Sequence, residues 1–385
     1  MLVVSLMLLH RTWKRTAPLQ PELTPSVALP LIAGASLLLM PFMGPREYAR
    51  AVVCFDQETG DRLWLREVAR APEPGLHKMN TAATPTVAAD GDAVYAYFGN
   101  AGFYALDHQG NLLWSRNDLE GGDQFGTVVS PVLQDDLLLL AGGTAQYRYL
   151  EAIHRVTGKT QWRRQRNPLG VDNGEVRTPA LFHHPAGPVV LVRDKHRVRG
   201  YHTKDGRDAL ELHLPARDIW GSMVAPDLVV GQQLVVPNEQ GLLIVALNAA
   251  GQRPEVRKAA QFEGADCSAP VRVGRYVISA SEAGEVTAVD LDTGQVTGQV
   301  VVDAMVMAPL AASGDLVLVS DAQGTVHTVR VSDAGSLQRL ASDRVGTSLG
   351  AAPAIFGQRL WIRTDTALLQ IRPNLTTSRS DQRAK

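Results

Sequence analysis

The sequence predicts an all-β fold: a β-propeller of four-stranded antiparallel blades, preceded by an N-terminal transmembrane helix. Three observations predict it. A turn ending in Gly recurs seven times, a small residue followed by Pro recurs in phase with that turn, and an uncharged apolar stretch lies near the N-terminus.

Each turn follows a short apolar strand. It reads Phe55-Asp-Gln-Glu-Thr-Gly60, Leu106-Asp-His-Gln-Gly110, His154-Arg-Val-Thr-Gly158 and His202-Thr-Lys-Asp-Gly206. It continues as Leu247-Asn-Ala-Ala-Gly251, Leu291-Asp-Thr-Gly294 and Val331-Ser-Asp-Ala-Gly335. Successive glycines lie 50, 48, 48, 45, 43 and 41 residues apart. Four residues after the first three glycines stands a tryptophan: Trp64, Trp114 and Trp162. The second marker is Thr84-Pro85, Ser130-Pro131, Thr178-Pro179, Ala225-Pro226, Ala269-Pro270, Ala308-Pro309 and Ala352-Pro353. Matching periods in two markers identify a repeat architecture.

The markers have steric reasons. Gly supplies positive φ in a turn without a Cβ clash. Pro suits the start of a strand, where its missing N–H breaks no ladder. Small residues beside it suit a crowded axis where inner strands converge. A Trp on an outer strand fills the wedge between neighbouring blades.

Pro85–Ala88 reads as a first strand, Ala93–Phe98 as a second, Phe103–Leu106 as a third and Asn111–Ser115 as a fourth, with Gly, Asp and Asn turns between them. Four short strands in about 45 residues make one propeller blade. Six such units run from Pro85 to about Leu340. Ala351–Phe356, Arg359–Arg363 and Ala367–Ile371 add three strands, and Val52–Phe55 and Asp61–Leu65 add two. A last blade completed by both chain ends gives seven blades and leaves no open seam. The count is eight if the two incomplete ends form separate blades.

From Leu23 to Pro45 no residue is charged. A spanning helix needs roughly 20 apolar residues, and a helix over about 25–43 meets that length. Arg11, Lys14 and Arg15 precede it, which places the N-terminus in the cytoplasm and the main domain outside. Ala49-Arg-Ala51 has the form of a cleavage site, but the charges before it favour an uncleaved anchor. The expected organisation is a membrane anchor region over 1–45, a propeller over 46–373 and a polar disordered tail over 374–385.

The formal net charge is -1, so no basic surface for nucleic acid is expected. Cys54 and Cys267 form no metal-binding spacing and read as small buried hydrophobes in strands. No nucleophile elbow, zinc-protease helix, phosphate loop or dinucleotide fingerprint occurs. No catalytic or metal-ligating residue is therefore assigned. His183-His184 in a Pro-containing loop, and His154 and His202 beside blade turns, read as solvated or structural.

The run Ala105-Leu-Asp107-His-Gln-Gly110-Asn-Leu-Leu-Trp114 resembles the A-x-D-x-x-G-x-x-x-W tryptophan-docking motif of quinoprotein propellers. Gly60 with Trp64, and Gly158 with Trp162, are further copies. Tyr48–Pro373 resembles a PQQ-like (pyrroloquinoline-quinone-repeat) β-propeller, as in bacterial membrane-anchored PQQ-binding-like repeat proteins. The resemblance implies a blade and not an activity, because that group holds both enzymes and scaffolds. For the enzymes it implies PQQ with calcium. The vicinal cysteine pair of the quinoprotein alcohol dehydrogenases is absent here, as is a lipobox.

Propellers bind on the face made by loops entering the innermost strand and loops joining the second and third strands. The first set carries Lys78, Asn80, Asp123, Glu175, Arg177, Trp220, Asp266 and Arg344. The second carries Asn100, Lys195, Glu239, Glu282 and Asp321. Lys78, Asn80, Arg177, Trp220 and Asp266 are the expected contacts, since Arg and Trp dominate binding hot spots. The expected function is a non-enzymatic extracytoplasmic scaffold that binds a protein or peptide of the cell envelope, anchored in the inner membrane. The alternatives are a PQQ-dependent oxidoreductase and a sensor ectodomain.

Overall fold

The computed structural model describes residues 3–8, 31–38, 47–72, 84–121, 127–144, 147–166, 177–194, 197–214, 225–238, 240–247, 255–262, 268–346, 349–356, 359–364 and 367–371. Their strands form eight sheets, seven of four strands and one of three. Blade 1 holds Val3–Leu8, Leu31–Leu38, Glu47–Phe55 and Arg62–Pro72. Blades 2 to 7 are the six units counted from the repeat. They begin at Ala88, Val132, Ala180, Leu228, Val271 and Ala311 and end at Arg116, Arg166, His213, Gln261, Val301 and Arg344. The final sheet is Ala354–Phe356, Arg359–Arg363 and Leu368–Ile371. Every pairing between these described strands is antiparallel except that of Val3–Leu8 with Leu31–Leu38.

The four-stranded antiparallel blade is thus the building unit, as its turns predict. The closure differs from the expectation that both chain ends share one blade. Glu47–Phe55 already has Leu31–Leu38 on its free side, so the C-terminal strands form a sheet of their own. The same pairing bears on the apolar N-terminal stretch. The described part of the expected helix is a strand, and residues 25–30 and 39–43 lie outside the described residues. An apolar run without periodicity satisfies a buried strand as well as a helix. Among the described residues no helix is long and apolar enough to cross a membrane.

The core lies between blades. One cluster joins Tyr95 and Phe103 of blade 2 to Leu139 and Ile153 of blade 3 and Val190 of blade 4. Others join blades 4 and 5 through Val189 and Leu234, blades 5 and 6 through Ile244 and Val277, and blades 6 and 7 through Ile278 and Val319. Val52 and Cys54 of blade 1 pack on Val94 and Leu106 of blade 2.

The two sequence markers act at these boundaries. The Trp64 Nε1–H donates to the His108 carbonyl at 2.9 Å, Trp114 to Arg155 at 2.8 Å and Trp162 to Thr203 at 2.8 Å. Each indole lies against the turn Gly of the next blade. Gly158 has φ 66°, and a Cβ there would meet the Trp114 ring at 2.8 Å, so the site needs glycine for both reasons. At the inner strands, the Thr86 N–H donates to Ser130 Oγ at 2.9 Å and the Ser130 N–H to Thr178 Oγ1 at 3.0 Å. The hydroxyl before Pro therefore ties one inner strand to the next. Later boundaries use other groups: Gln233 Nε2 donates to the Leu291 carbonyl at 3.4 Å, and the Tyr276 hydroxyl to Asp333 at 2.7 Å.

The final sheet meets blade 1 in the same manner. Trp361 packs on Gly60, Gln370 Nε2 donates to the Gln57 carbonyl at 2.6 Å, and Arg359 pairs with Glu58. A three-stranded sheet thus completes the ring.

Candidate functional site

Antiparallel blades put the loops entering each first strand and the hairpins between second and third strands at one end of the ring. Of the five expected contacts, only Arg177 falls among the described residues. It is buried, just ahead of the first strand of blade 4. Lys78, Asn80, Trp220 and Asp266 lie outside the described residues.

This end instead displays a charged network across blades 3 to 5. Arg148 opens the third strand of blade 3 and stands directly opposite Arg166, which closes the fourth. Both reach into blade 4. Arg166 Nη2 lies 2.5 Å from Asp194 Oδ1, and Arg148 Nη1 lies 3.7 Å from the same oxygen. Arg197 Nη2 approaches Asp194 Oδ2 at 3.6 Å. Asp194 ends the second strand of blade 4, so strand termini place all four groups at the loop-bearing end. The next boundary repeats the device: Arg193 Nε lies 2.8 Å from Asp227 Oδ1, at the entry to blade 5. Arg148, Arg166, Arg193 and Asp194 are all at most 4% exposed.

Burying charge is costly unless it is paired and hydrogen-bonded. Arg166 meets this condition with a short contact to a carboxylate that other guanidinium groups also approach. Among the described residues, Arg148, Arg166 and Arg197 share Asp194, and Arg193 takes Asp227.

Blade 3 continues the network outward. Glu151 is fully buried and takes Arg116 of blade 2 at 3.3 Å and Arg163 at 3.4 Å. The Arg163 guanidinium also stacks 3.7 Å from the Tyr149 ring centroid, a cation–π contact. Burial pushes the Tyr149 phenol up, with the Arg163 charge opposing and Glu151 adding to the shift, and its hydroxyl donates to the Glu120 carbonyl at 2.7 Å. The opposite end of the ring has a different character. There Arg155 pairs with Asp90, Asp92 and Asp136 at 3.0, 3.0 and 3.1 Å.

Arg148, Arg166, Arg193 and Asp194 carry no signal in the sequence. No motif marks them, because their partners stand in neighbouring blades. The histidine pair sits in the first hairpin of blade 4, where His184 Nδ1 accepts from the Ala186 N–H at 3.1 Å. Among the described residues no group of three His, Cys, Asp or Glu side chains is arranged to hold a metal ion.

Residues 48–300 match the family model described as outer membrane protein assembly factor BamB. The chain belongs to that family. No curated protein sequence matches it. Among solved structures, the BamB-family fold is similar to BamB from Moraxella catarrhalis at 14% identity and TM-score 0.62, over 87% of this chain and 97% of that one. It is similar to the computationally designed Ika8 protein at 13% identity and TM-score 0.61, over 86% and 94%. It is also similar to quinohemoprotein alcohol dehydrogenase from Comamonas testosteroni at 13% identity and TM-score 0.57, over 86% and 69%. At these identities the likenesses show the BamB-family fold alone.

Proposed function

We infer that this chain is a cofactor-free binding propeller of the cell envelope. It engages a carboxylate-bearing segment of a protein partner at the loop-bearing end of blades 3 to 5. The observation that carries this reading is the charged network at that end, whose Arg197 remains partly exposed. Arginine forks match carboxylates bidentately and are enriched at interface hot spots. Family membership supports it, since the matching model is described as an assembly factor.

Two measurements test the reading. A photo-reactive residue at Arg197 is expected to cross-link to an envelope protein in cells, whereas one at Val156, at the opposite end, is not. Equal cross-linking from both positions defeats the assignment of the surface. Calorimetric titration with pyrroloquinoline quinone and calcium is expected to give no heat. Tight one-to-one binding would replace this reading with a quinone-dependent oxidoreductase.

A further inference from the structure

One rung in each of blades 2 to 7 varies in chemistry. It is the second cross-strand pair before the register shift between the third and fourth strands. The pair is Tyr104–Ser115 in blade 2, Glu151–Arg163 in blade 3, Arg199–Glu211 in blade 4, Leu243–Ala259 in blade 5 and Thr287–Gln299 in blade 6. In blade 7 it is His327–Ser342. Blade 5 closes this rung with Leu and Ala, so the blade architecture itself requires neither an imidazole nor a hydroxyl.

His327 is buried between two partners. Its Nε2 lies 3.0 Å from Asp321 Oδ2, and its Nδ1 lies 2.9 Å from Ser342 Oγ. The other oxygen of Asp321, Oδ1, accepts from the N–H groups of Gln323 and Thr325 at 2.8 Å each. The carboxylate is therefore fixed in place at 2% exposure. Burial opposes its charge, but the donors Thr325, His327 and Gln323 outweigh burial and hold its pKa below the ordinary value.

An ionised carboxylate only accepts hydrogen bonds, so the proton facing it is on Nε2 of His327. In the neutral ring Nδ1 is then an acceptor, and the Ser342 hydroxyl donates to it. Ser342 is exposed on the outer strand. A serine, an imidazole and a buried carboxylate in a row are the arrangement that activates a hydroxyl for attack.

We propose that Ser342 is an activated nucleophile that accepts an acyl group from ester donors. Its Oγ bonds to the carbonyl carbon while its proton passes to His327 Nδ1. The bond from that carbon to the alcohol oxygen breaks, and the departing alkoxide takes the proton from Nδ1. Asp321 steadies the transient imidazolium. Water then attacks the acyl-serine with the same base and releases a carboxylic acid. The site lies in blade 7 and does not rest on the binding role of blades 3 to 5.

The test uses a fluorophosphonate, whose phosphorus bonds to an activated serine oxygen with loss of fluoride. Full-length protein is treated, digested and mapped by mass spectrometry over time. Ser342 is expected to label roughly tenfold or more faster than Ser332 and Ser336. Those two serines belong to the same blade, and their hydroxyls bond each other at 2.7 Å. This comparison lies within the wild-type protein and needs no variant to fold. His327→Gln is expected to slow labelling by about 100-fold, and Ser342→Ala to remove it. Labelling of Ser342 at the rate of Ser332, or labelling that survives His327→Gln, overturns the proposal.

Discussion

The guanidinium of Arg166 meets the carboxylate of Asp194 at 2.5 Å across the boundary of blades 3 and 4, with both side chains out of water. Removing one partner takes a close counter-charge from the other. Asp194→Asn leaves Arg148, Arg166 and Arg197 facing an amide, and is expected to cost about 3–5 kcal/mol. Chemical denaturation of the two proteins measures it. Arg199→Ala, at a more exposed pair with Glu211, is expected to cost less than about 1 kcal/mol.

The Trp114–Gly158 contact gives a second prediction. Trp114→Ala removes a hydrogen bond and a ring seated on the next blade, at a cost of about 2–4 kcal/mol. Gly158→Ala attacks the same joint from the other side, through positive φ and a Cβ contact at 2.8 Å. It is expected to cost about 1–3 kcal/mol. Because the two changes disrupt one contact, the double variant should lose less than the sum of the singles. Full additivity in denaturant melts refutes a shared joint.

Acid should weaken the ring. Burial raises the pKa values of Asp90, Asp290 and Asp321, but turn N–H donors lower them by more, assisted by Tyr95 and Arg155 at Asp90, Arg275 at Asp290 and His327 at Asp321. The unfolded chain has ordinary aspartates near pKa of about 3.9. Between that value and the lowered folded values the unfolded state binds more protons. The stabilisation is therefore present above about pH 4 and is lost as pH falls through the folded values. Thermal melts should drop over this window, and Asp90→Asn should flatten the drop while lowering stability at neutral pH.

Cys54 should be inert in the native protein. Its thiol is buried between blades 1 and 2, and burial, with the nearby Asp56 charge adding, pushes its pKa up to about 12. The thiolate is the reactive form. Alkylation mapped to the Cys54 peptide should appear only in denaturant, and modification in buffer would show that this boundary opens.

Features set by local backbone geometry were readable in the chain. Gly110, Gly158 and the three tryptophans announce themselves because each satisfies a turn or a neighbour at fixed spacing. The substitutes at later boundaries were not readable. Tyr276 and Gln233 do the work of Trp from second strands, so no period reveals them. The Arg166–Asp194 pair was hidden for a related reason, since strand register and blade order bring the two residues together. Leu31–Leu38 misled because its apolar run lacks the alternation that separates strand from helix. Arg177 stands just ahead of the first strand of blade 4 and is buried there, which its sequence context does not reveal.

The position of the apolar clusters between blades has a mechanical consequence. A single blade owns only half of a core, so no blade has reason to fold before its neighbour. The smallest cooperative unit is a pair, and order spreads around the ring by nearest-neighbour docking. The seam between the C-terminal sheet and blade 1 is then one joint among equals. A circular permutant cut at an exposed turn should therefore assemble, and a lineage could gain or lose a blade without redesigning any other contact.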